Sequence, residues 1–206
     1  MKYEINCCPW AEYKTDFRCW ADVELSGAAA GLGTATGAGT TANAIEVTDS
    51  APELTVHFVA YETNLRAVNT ENQSPVHQDS CVEFFAMFDP ECDPHYINFE
   101  INPNGAMHVE YRTKRSDARP LTCAELSQIS AKAQIFDDRW EVTLHIKTAL
   151  LESIFPGFKP ERGTKIRGNF YKCGDLTDHP HYACHFPIDW EQPDFHRPEF
   201  FGEIVL

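Results

Sequence analysis

Along much of the chain apolar and polar residues alternate, and the alternating runs are bounded by Gly, Pro, Asn or Asp, which is how strands with one buried face read. Leu54, Val56, Phe58 and Ala60 fall on one side of such a run. Trp140, Val142, Leu144 and Ile146 share a side of another, with Glu141, Thr143, His145 and Lys147 opposite. Residues 81–88 and 96–102 flank Asp89-Pro90-Glu91-Cys92-Asp93-Pro94, whose prolines have no ladder N–H to give, so the pair reads as a hairpin with a long loop. Asn102-Pro103-Asn104-Gly105 then predicts a tight reversal into 107–112, because Asn-Gly accepts positive φ. The three strands from Asp79 to Tyr111 make a meander.

Further strands are expected at 129–135, 165–171 and 200–206, and the one helical pattern, 148–154, stops ahead of Pro156-Gly157. About nine or ten strands with one short helix specify an all-β fold, an antiparallel two-sheet β-sandwich of jelly-roll or immunoglobulin-like type. A chain of 206 residues can close one core of this kind, so residues 1–206 are read as a single domain. The stretch 26–44, rich in Gly, Ala and Thr, has almost no large side chains and is expected to be a loop. Its Gly31-Leu32-Gly33 is followed by no Lys-Ser/Thr and sits in no βαβ pattern, so it does not read as a phosphate loop.

Charge narrows the partners. Seventeen Lys and Arg against 31 Asp and Glu give −14, which repels a phosphate backbone and argues against nucleic acid. The start, Met1-Lys2-Tyr3-Glu4-Ile5-Asn6, lacks the apolar run of a signal peptide, and no later run would span a bilayer. The expected location is cytoplasmic, or secreted if a leader was trimmed, with no membrane partner. The eight cysteines, including the adjacent Cys7-Cys8, are expected to be free thiols.

Four ordered motifs carry a resemblance: Gln78-Asp79-Ser80-Cys81-Val82-Glu83-Phe84-Phe85; Tyr96-Ile97-Asn98-Phe99-Glu100-Ile101-Asn102 with Gly105; Asn169-Phe170-Tyr171-Lys172-Cys173-Gly174-Asp175; and Pro193-Asp194-Phe195-His196-Arg197-Pro198-Glu199-Phe200-Phe201-Gly202. Together, from Leu54 to the C-terminus, they resemble family 9 carbohydrate-binding modules and their stand-alone relatives. The resemblance implies a β-sandwich whose aromatic side chains clamp a pyranose ring while carboxylates, amides and an Arg bind its hydroxyls. Sugar C–H faces pack on aromatic rings, and hydroxyls need paired donors and acceptors to offset desolvation. It places Glu83 at a hydroxyl-contacting position and Phe195 at one of two clamping Trp positions. Two departures stand out: Pro75-Val76-His77 occupies the place of the other Trp, and Glu100 that of the sugar-binding Arg. The usual clamp is therefore expected to be altered, with Trp190, Tyr171 or Tyr182 as replacement aromatics.

Glu83 and Glu100 fall on neighbouring predicted strands. Paired carboxylates perform glycoside hydrolysis at suitable separation, but they also bind sugar hydroxyls or make ordinary sheet hydrogen bonds. His179, His181, Cys184 and His185, with Cys173 upstream, are the densest metal-capable set and suit Zn2+, although their spacing fits no standard knuckle or finger. Asp89, Glu91 and Asp93 could supply oxygens to a structural Ca2+, or simply form solvated Asx turns. Most phenylalanines fall at core spacing, whereas Trp190 and Phe195 lie in an irregular Pro-rich segment where aromatics are available to stack. No GxSxG, HExxH, CxxC or Walker sequence is present. The reading that results is a non-catalytic carbohydrate-binding protein, without an obligatory cofactor, using Glu83, Asn98, Glu100, Asn169, Tyr171, Lys172, Trp190 and Phe195. The alternative is a glycosidase-like or metal-assisted hydrolase built on Glu83/Glu100 or on the His/Cys set.

Overall fold

The computed structural model describes residues 1–15, 17–27 and 51–206, so the loop expected over 26–44 falls, beyond Ser26 and Gly27, outside the described residues. In chain order the strands are β1 (Lys2–Glu4), β2 (Cys19–Ser26), β3 (Glu53–Ala60), β4 (Cys81–Met87), β5 (Tyr96–Ile101), β6 (Met107–Arg112), β7 (Arg119–Pro120), β8 (Ile129–Ile135), β9 (Trp140–Lys147), β10 (Lys165–Cys173), β11 (Tyr182–Cys184) and β12 (Gly202–Val205). Two α-helices join them, α1 (Cys123–Leu126) and α2 (Thr148–Ile154). One sheet runs β1-β2-β3-β9-β8; the other runs β11-β10-β4-β5-β6-β7, with β12 also paired to β10. Every pairing is antiparallel, and the two sheets form a sandwich.

Among the described residues the twelve strands exceed the expected nine or ten, and there are two α-helices where one is expected. The extra pieces are short or weakly patterned: β7 is two residues including Pro120, β11 three, and α1 a single turn whose N-cap Thr122 accepts from the Glu125 N–H. Strand β2 alternates buried Cys19, Ala21 and Val23 with more exposed neighbours. Its partners are supplied by β1 and β3.

Between the sheets, Val56, Phe58, Phe84, Phe99, Val142, Leu144 and Phe170 make the main core, with Phe84 stacked on Phe170 at 5.0 Å. Every residue of β4 and β5 is buried, on both faces. The second face is covered by a further apolar layer in which Trp10, Val76, Ile188, Phe195 and Phe201 pack on Phe85, Tyr96 and Tyr171. Each large apolar side chain so buried stabilises the fold by roughly 1.5–3 kcal/mol. The layer exists because the N-terminal segment crosses the outer face of the second sheet: Cys7 and Cys184 exchange backbone hydrogen bonds at 3.0 and 2.8 Å, and the Trp10 indole N–H donates to the Trp190 carbonyl at 2.9 Å.

The β5–β6 reversal is a three-residue loop. Asn102 Oδ1 accepts from the Asn104 and Ala106 N–H groups at 3.1 Å each, and Gly105 sits at φ 77°, the left-handed region that such a loop needs. The loop sets Glu100 opposite His108, Asn98 opposite Glu110 and Tyr96 opposite Arg112. All eight cysteines are free thiols. Among the described residues no helix is long and apolar enough to cross a membrane.

Candidate functional site

The outer face of the second sheet is only partly covered by the Trp10/Phe195 layer, and the remainder is a cavity of about 710 Å³. Its floor is the outward residues of four adjoining strands: Glu83 and Phe85 of β4, Glu100 of β5, His108, Glu110 and Arg112 of β6, and Cys173 of β10. Its walls are the segment from Trp190 to His196, the turn at Arg115, and His77, Asp175 and Tyr182. Period-two geometry makes this floor, since every second residue on each strand emerges on the same side.

Glu83 and Glu100 are directly opposed partners on β4 and β5, 3% and 5% exposed. Glu83 Oε1 accepts from the Cys173 thiol at 2.9 Å. Burial, reinforced by the Glu100 charge, pushes the Glu83 carboxyl well above its ordinary value. Glu100 Oε1 accepts from the Asn98 amide at 3.0 Å, and Oε2 has no hydrogen-bond donor, its nearest cation being His77 Nδ1 at 3.5 Å. That contact with Glu100 raises the His77 imidazole. Asp175 is raised by burial. Elsewhere the charges are matched: Arg112 and His108 both bind Glu110, and Arg115 donates to Asp194 at 2.7 Å. Asp194 also pairs with Arg197 at 3.1 Å, so two parts of the wall are tied together by a carboxylate between two guanidinium groups. His196 accepts no proton near neutrality, because burial followed by the Arg112 charge depresses it to about 2, and its Nδ1 lies 2.9 Å from the Tyr96 hydroxyl.

Of the residues singled out by sequence, Glu83, Glu100, Trp190 and Phe195 line this one cavity. Trp190 is 47% exposed, with the Arg197 guanidinium 3.3 Å over its ring. Phe195 is mostly buried, its ring stacked on Tyr171 at 4.1 Å and 7°, so Tyr171 supports the wall from beneath. Asn98 stands behind Glu100. The other two do not reach the cavity. Asn169 binds both backbone groups of Phe186 at 2.9 Å, acting as a strand partner. Lys172 points to the opposite side of β10, into the sandwich, where its ammonium meets Glu62 at 3.0 Å and His181 Nε2 at 2.6 Å.

The Glu62 carboxylate also accepts from Ser80 and from the Trp140 indole. Burial alone would raise Glu62; the Lys172 charge and hydrogen bond, with His181 and the Ser80 hydroxyl, together outweigh it and hold the carboxyl below its ordinary value. Burial, with Lys172 beside it, depresses His181 to about 4.

The proposed His/Cys metal set is not gathered. His181 is engaged by Lys172, His185 Nδ1 lies against the Glu4 carbonyl at 2.7 Å, Cys184 faces Cys7, and His179 offers its carbonyl to His181. Among the described residues Asp89, Glu91 and Asp93 do not gather their carboxylate oxygens into a group of three either. Among the described residues the metal-capable group whose ligand atoms lie close together is Cys81, Glu83 and Cys173.

Nothing in the sequence singles out His108, Glu110, Arg112 or Arg115 as site residues, and Asp175 and Asp194 stand in the resemblance motifs without an assigned role. The β6 trio was accessible in principle, because the Asn102–Gly105 reversal sets their register against Tyr96, Asn98 and Glu100. Arg115, Asp175 and Asp194 come from separate loops and leave no such periodic signal.

The sequence profile of carbohydrate-binding family 9 matches residues 40–206. Among solved structures, a candidate carbohydrate-binding protein from Bacteroides uniformis superposes with a TM-score of 0.77 at 22% identity, over 100% of this chain and 85% of that one. A family 9 carbohydrate-binding module from Caldicellulosiruptor kristjanssonii is similar in its glucose complex (TM-score 0.59, 14% identity) and its cellotriose complex (0.58, 15%), each over 98% of this chain and 82% of that one. No curated protein matches the chain.

Proposed function

The chain belongs to carbohydrate-binding family 9, and from that premise we propose that the outer-face cavity holds a mono- or oligosaccharide without chemically altering it. The observation that carries this reading is the convergence of Glu83 and Glu100 from the meander with Trp190 and Phe195 from a stretch some ninety residues further on, in one cavity of about 710 Å³. That volume falls within the roughly 300–1,000 Å³ of small-molecule sites. Carboxylates and guanidinium groups supply acceptors and donors for ring hydroxyls, and the half-exposed Trp190 ring, stacked by Arg197 on one face, has its other face for sugar C–H groups. The glucose and cellotriose complexes of the Caldicellulosiruptor module support a pyranoside as the ligand class.

The clamp differs from the family's usual one. Val76 is wholly buried in the apolar layer and offers no ring to the cavity, while His77 lines it. Glu100 stands where the resemblance expects a sugar-binding Arg, and Arg112 and Arg115 bring guanidinium groups from other positions. Aromatic contact therefore rests on the half-exposed Trp190, with Phe195 and Tyr182 also lining the cavity, and polar contacts dominate. Glu83 and Glu100 lie side by side on the floor, not across the cavity from each other, which disfavours the flanking arrangement of glycosidase carboxylates.

A broad glycan array followed by calorimetry tests the reading. Saturable binding to a glycan, lost in Glu83→Ala, is the expected outcome, and no hit across the array would refute it.

A further inference from the structure

Glu83 is a buried carboxylate with an unusual environment. It faces another carboxylate, Glu100, and its hydrogen-bond donor is a thiol, the weakest donor in the side-chain repertoire. Buried carboxylates are normally matched by a cation or by several N–H donors. The neighbours of Glu83 instead form a metal-ligand set. Cys81 lies two residues before it on β4, hence on the same face, and Cys173 lies directly opposite Cys81 on β10. The two Sγ atoms and a Glu83 oxygen all lie within 4.8 Å of one another, and all three residues are buried. Ligand atoms around a tetrahedral zinc sit roughly 3.5–3.8 Å apart given its bond lengths, a contraction that side-chain torsions supply.

We propose that Cys81, Glu83 and Cys173 form a site for a thiophilic divalent cation, zinc above all, at the floor of the cleft, with its fourth coordination position open to the cavity. Two thiols and one carboxylate select a borderline-soft ion over Ca2+ or Mg2+, which take oxygen ligands. Three protein ligands with one open position is the arrangement of zinc sites that engage an exogenous group. Glu83 and Cys173 both line the cavity, so an ion has a path to the site. Glu100 and Asp175 line the same cavity and add negative field around it. Binding replaces the thiol protons, which leave to solvent, and the ion's charge takes the place of the missing counter-ion beside Glu83. Metal uptake is read without any glycan, so this site and the sugar reading stand or fall separately.

The test is titration of the reduced, chelator-stripped full chain with Co2+, then displacement by Zn2+. The expected result is about one equivalent of tetrahedral cobalt with a near-ultraviolet thiolate charge-transfer band, both lost in Cys81→Ser/Cys173→Ser. Both persist in Cys7→Ser/Cys8→Ser and in Cys92→Ser/Cys123→Ser. Should the double serine variant fail to fold, Glu83→Gln serves instead. Loss of an outer-shell partner already costs about 10–100-fold in affinity, so loss of this ligand weakens cobalt binding by at least about tenfold. A wild-type spectrum without a thiolate band, a Cys81–Cys173 disulfide in place of metal uptake, unchanged affinity in Glu83→Gln, or a band that disappears only with Cys7/Cys8 or Cys92/Cys123 would each overturn the assignment.

Discussion

Glu83→Gln is expected to make the metal-free protein more stable while impairing its site. Directly opposed residues on antiparallel strands have Cβ atoms about 4.5–5.5 Å apart. Two unit charges about 5 Å apart repel by roughly 3 kcal/mol at an effective dielectric near 20. Glu83 and Glu100 are such a pair, both buried. Glutamine keeps the shape and an acceptor for the Cys173 thiol but removes the charge. Because the folded Glu83 carboxyl titrates above its ordinary 4.5, its contribution to stability is complete below that value and is lost as pH rises through the folded pKa. The variant therefore gains nothing at pH 4 and most at alkaline pH. At pH 8 the expected gain is roughly 1–3 kcal/mol, or a Tm rise of about 3–10 °C for a chain of this size. Urea and thermal unfolding of reduced, chelated protein at pH 4 and pH 8 measure it. A variant no more stable than wild type at pH 8, or equally stabilised at both pH values, would mean that the Glu83 charge is not what destabilises the metal-free fold.

Lys172→Met leaves Glu62 buried without its cation and is expected to cost about 3–5 kcal/mol, a Tm fall of roughly 6–20 °C in a thermal melt. His181, held to about 4 in the fold against an ordinary 6.5, contributes stability above pH 6.5 that is lost as pH falls toward 4. His181→Gln should flatten that limb of a stability–pH curve. Trp190→Ala removes the most open aromatic of the cavity and is expected to weaken glycan binding by about 1 kcal/mol, roughly fivefold in Kd, at unchanged Tm.

The meander from Asp79 to Tyr111 was readable because two physical signals agree there: period-two alternation and an Asn-Pro-Asn-Gly reversal that only a left-handed Gly105 completes. The same alternation put Glu83 and Glu100 on neighbouring strands, and the register of β4 against β5 sets them directly opposite each other. Parity says less in β10, where no tight reversal fixes the register against a neighbouring strand. In β10 the run Asn169-Phe170-Tyr171-Lys172-Cys173 is buried throughout, so nothing local distinguishes the cavity side from the sandwich interior. Lys172 looked like a ligand-contacting cation and is instead half of an internal ion pair, whose partner Glu62 lies more than a hundred residues away. Trp10 and β2 were missed for a related reason: their burial depends on crossing segments whose partners are distant in sequence. The clustering of Cys81 with Cys173 likewise follows from strand register, not from any spacing along the chain.

A glycan seated against Trp190 in the outer-face cavity would report itself at that indole. The chain has four tryptophans, hence four indole N–H resonances, which an NMR titration resolves individually. Trp190 lines the cavity and its carbonyl receives the Trp10 indole, whereas Trp20 packs on Tyr61 in the other sheet and Trp140 donates to interior Glu62. Addition of a bound pyranoside is predicted to shift the Trp190 signal saturably, with a smaller shift at Trp10 and none at Trp20 or Trp140. A saturable shift confined to Trp20 or Trp140, or a glycan that binds by calorimetry and leaves Trp190 unmoved, would contradict the account.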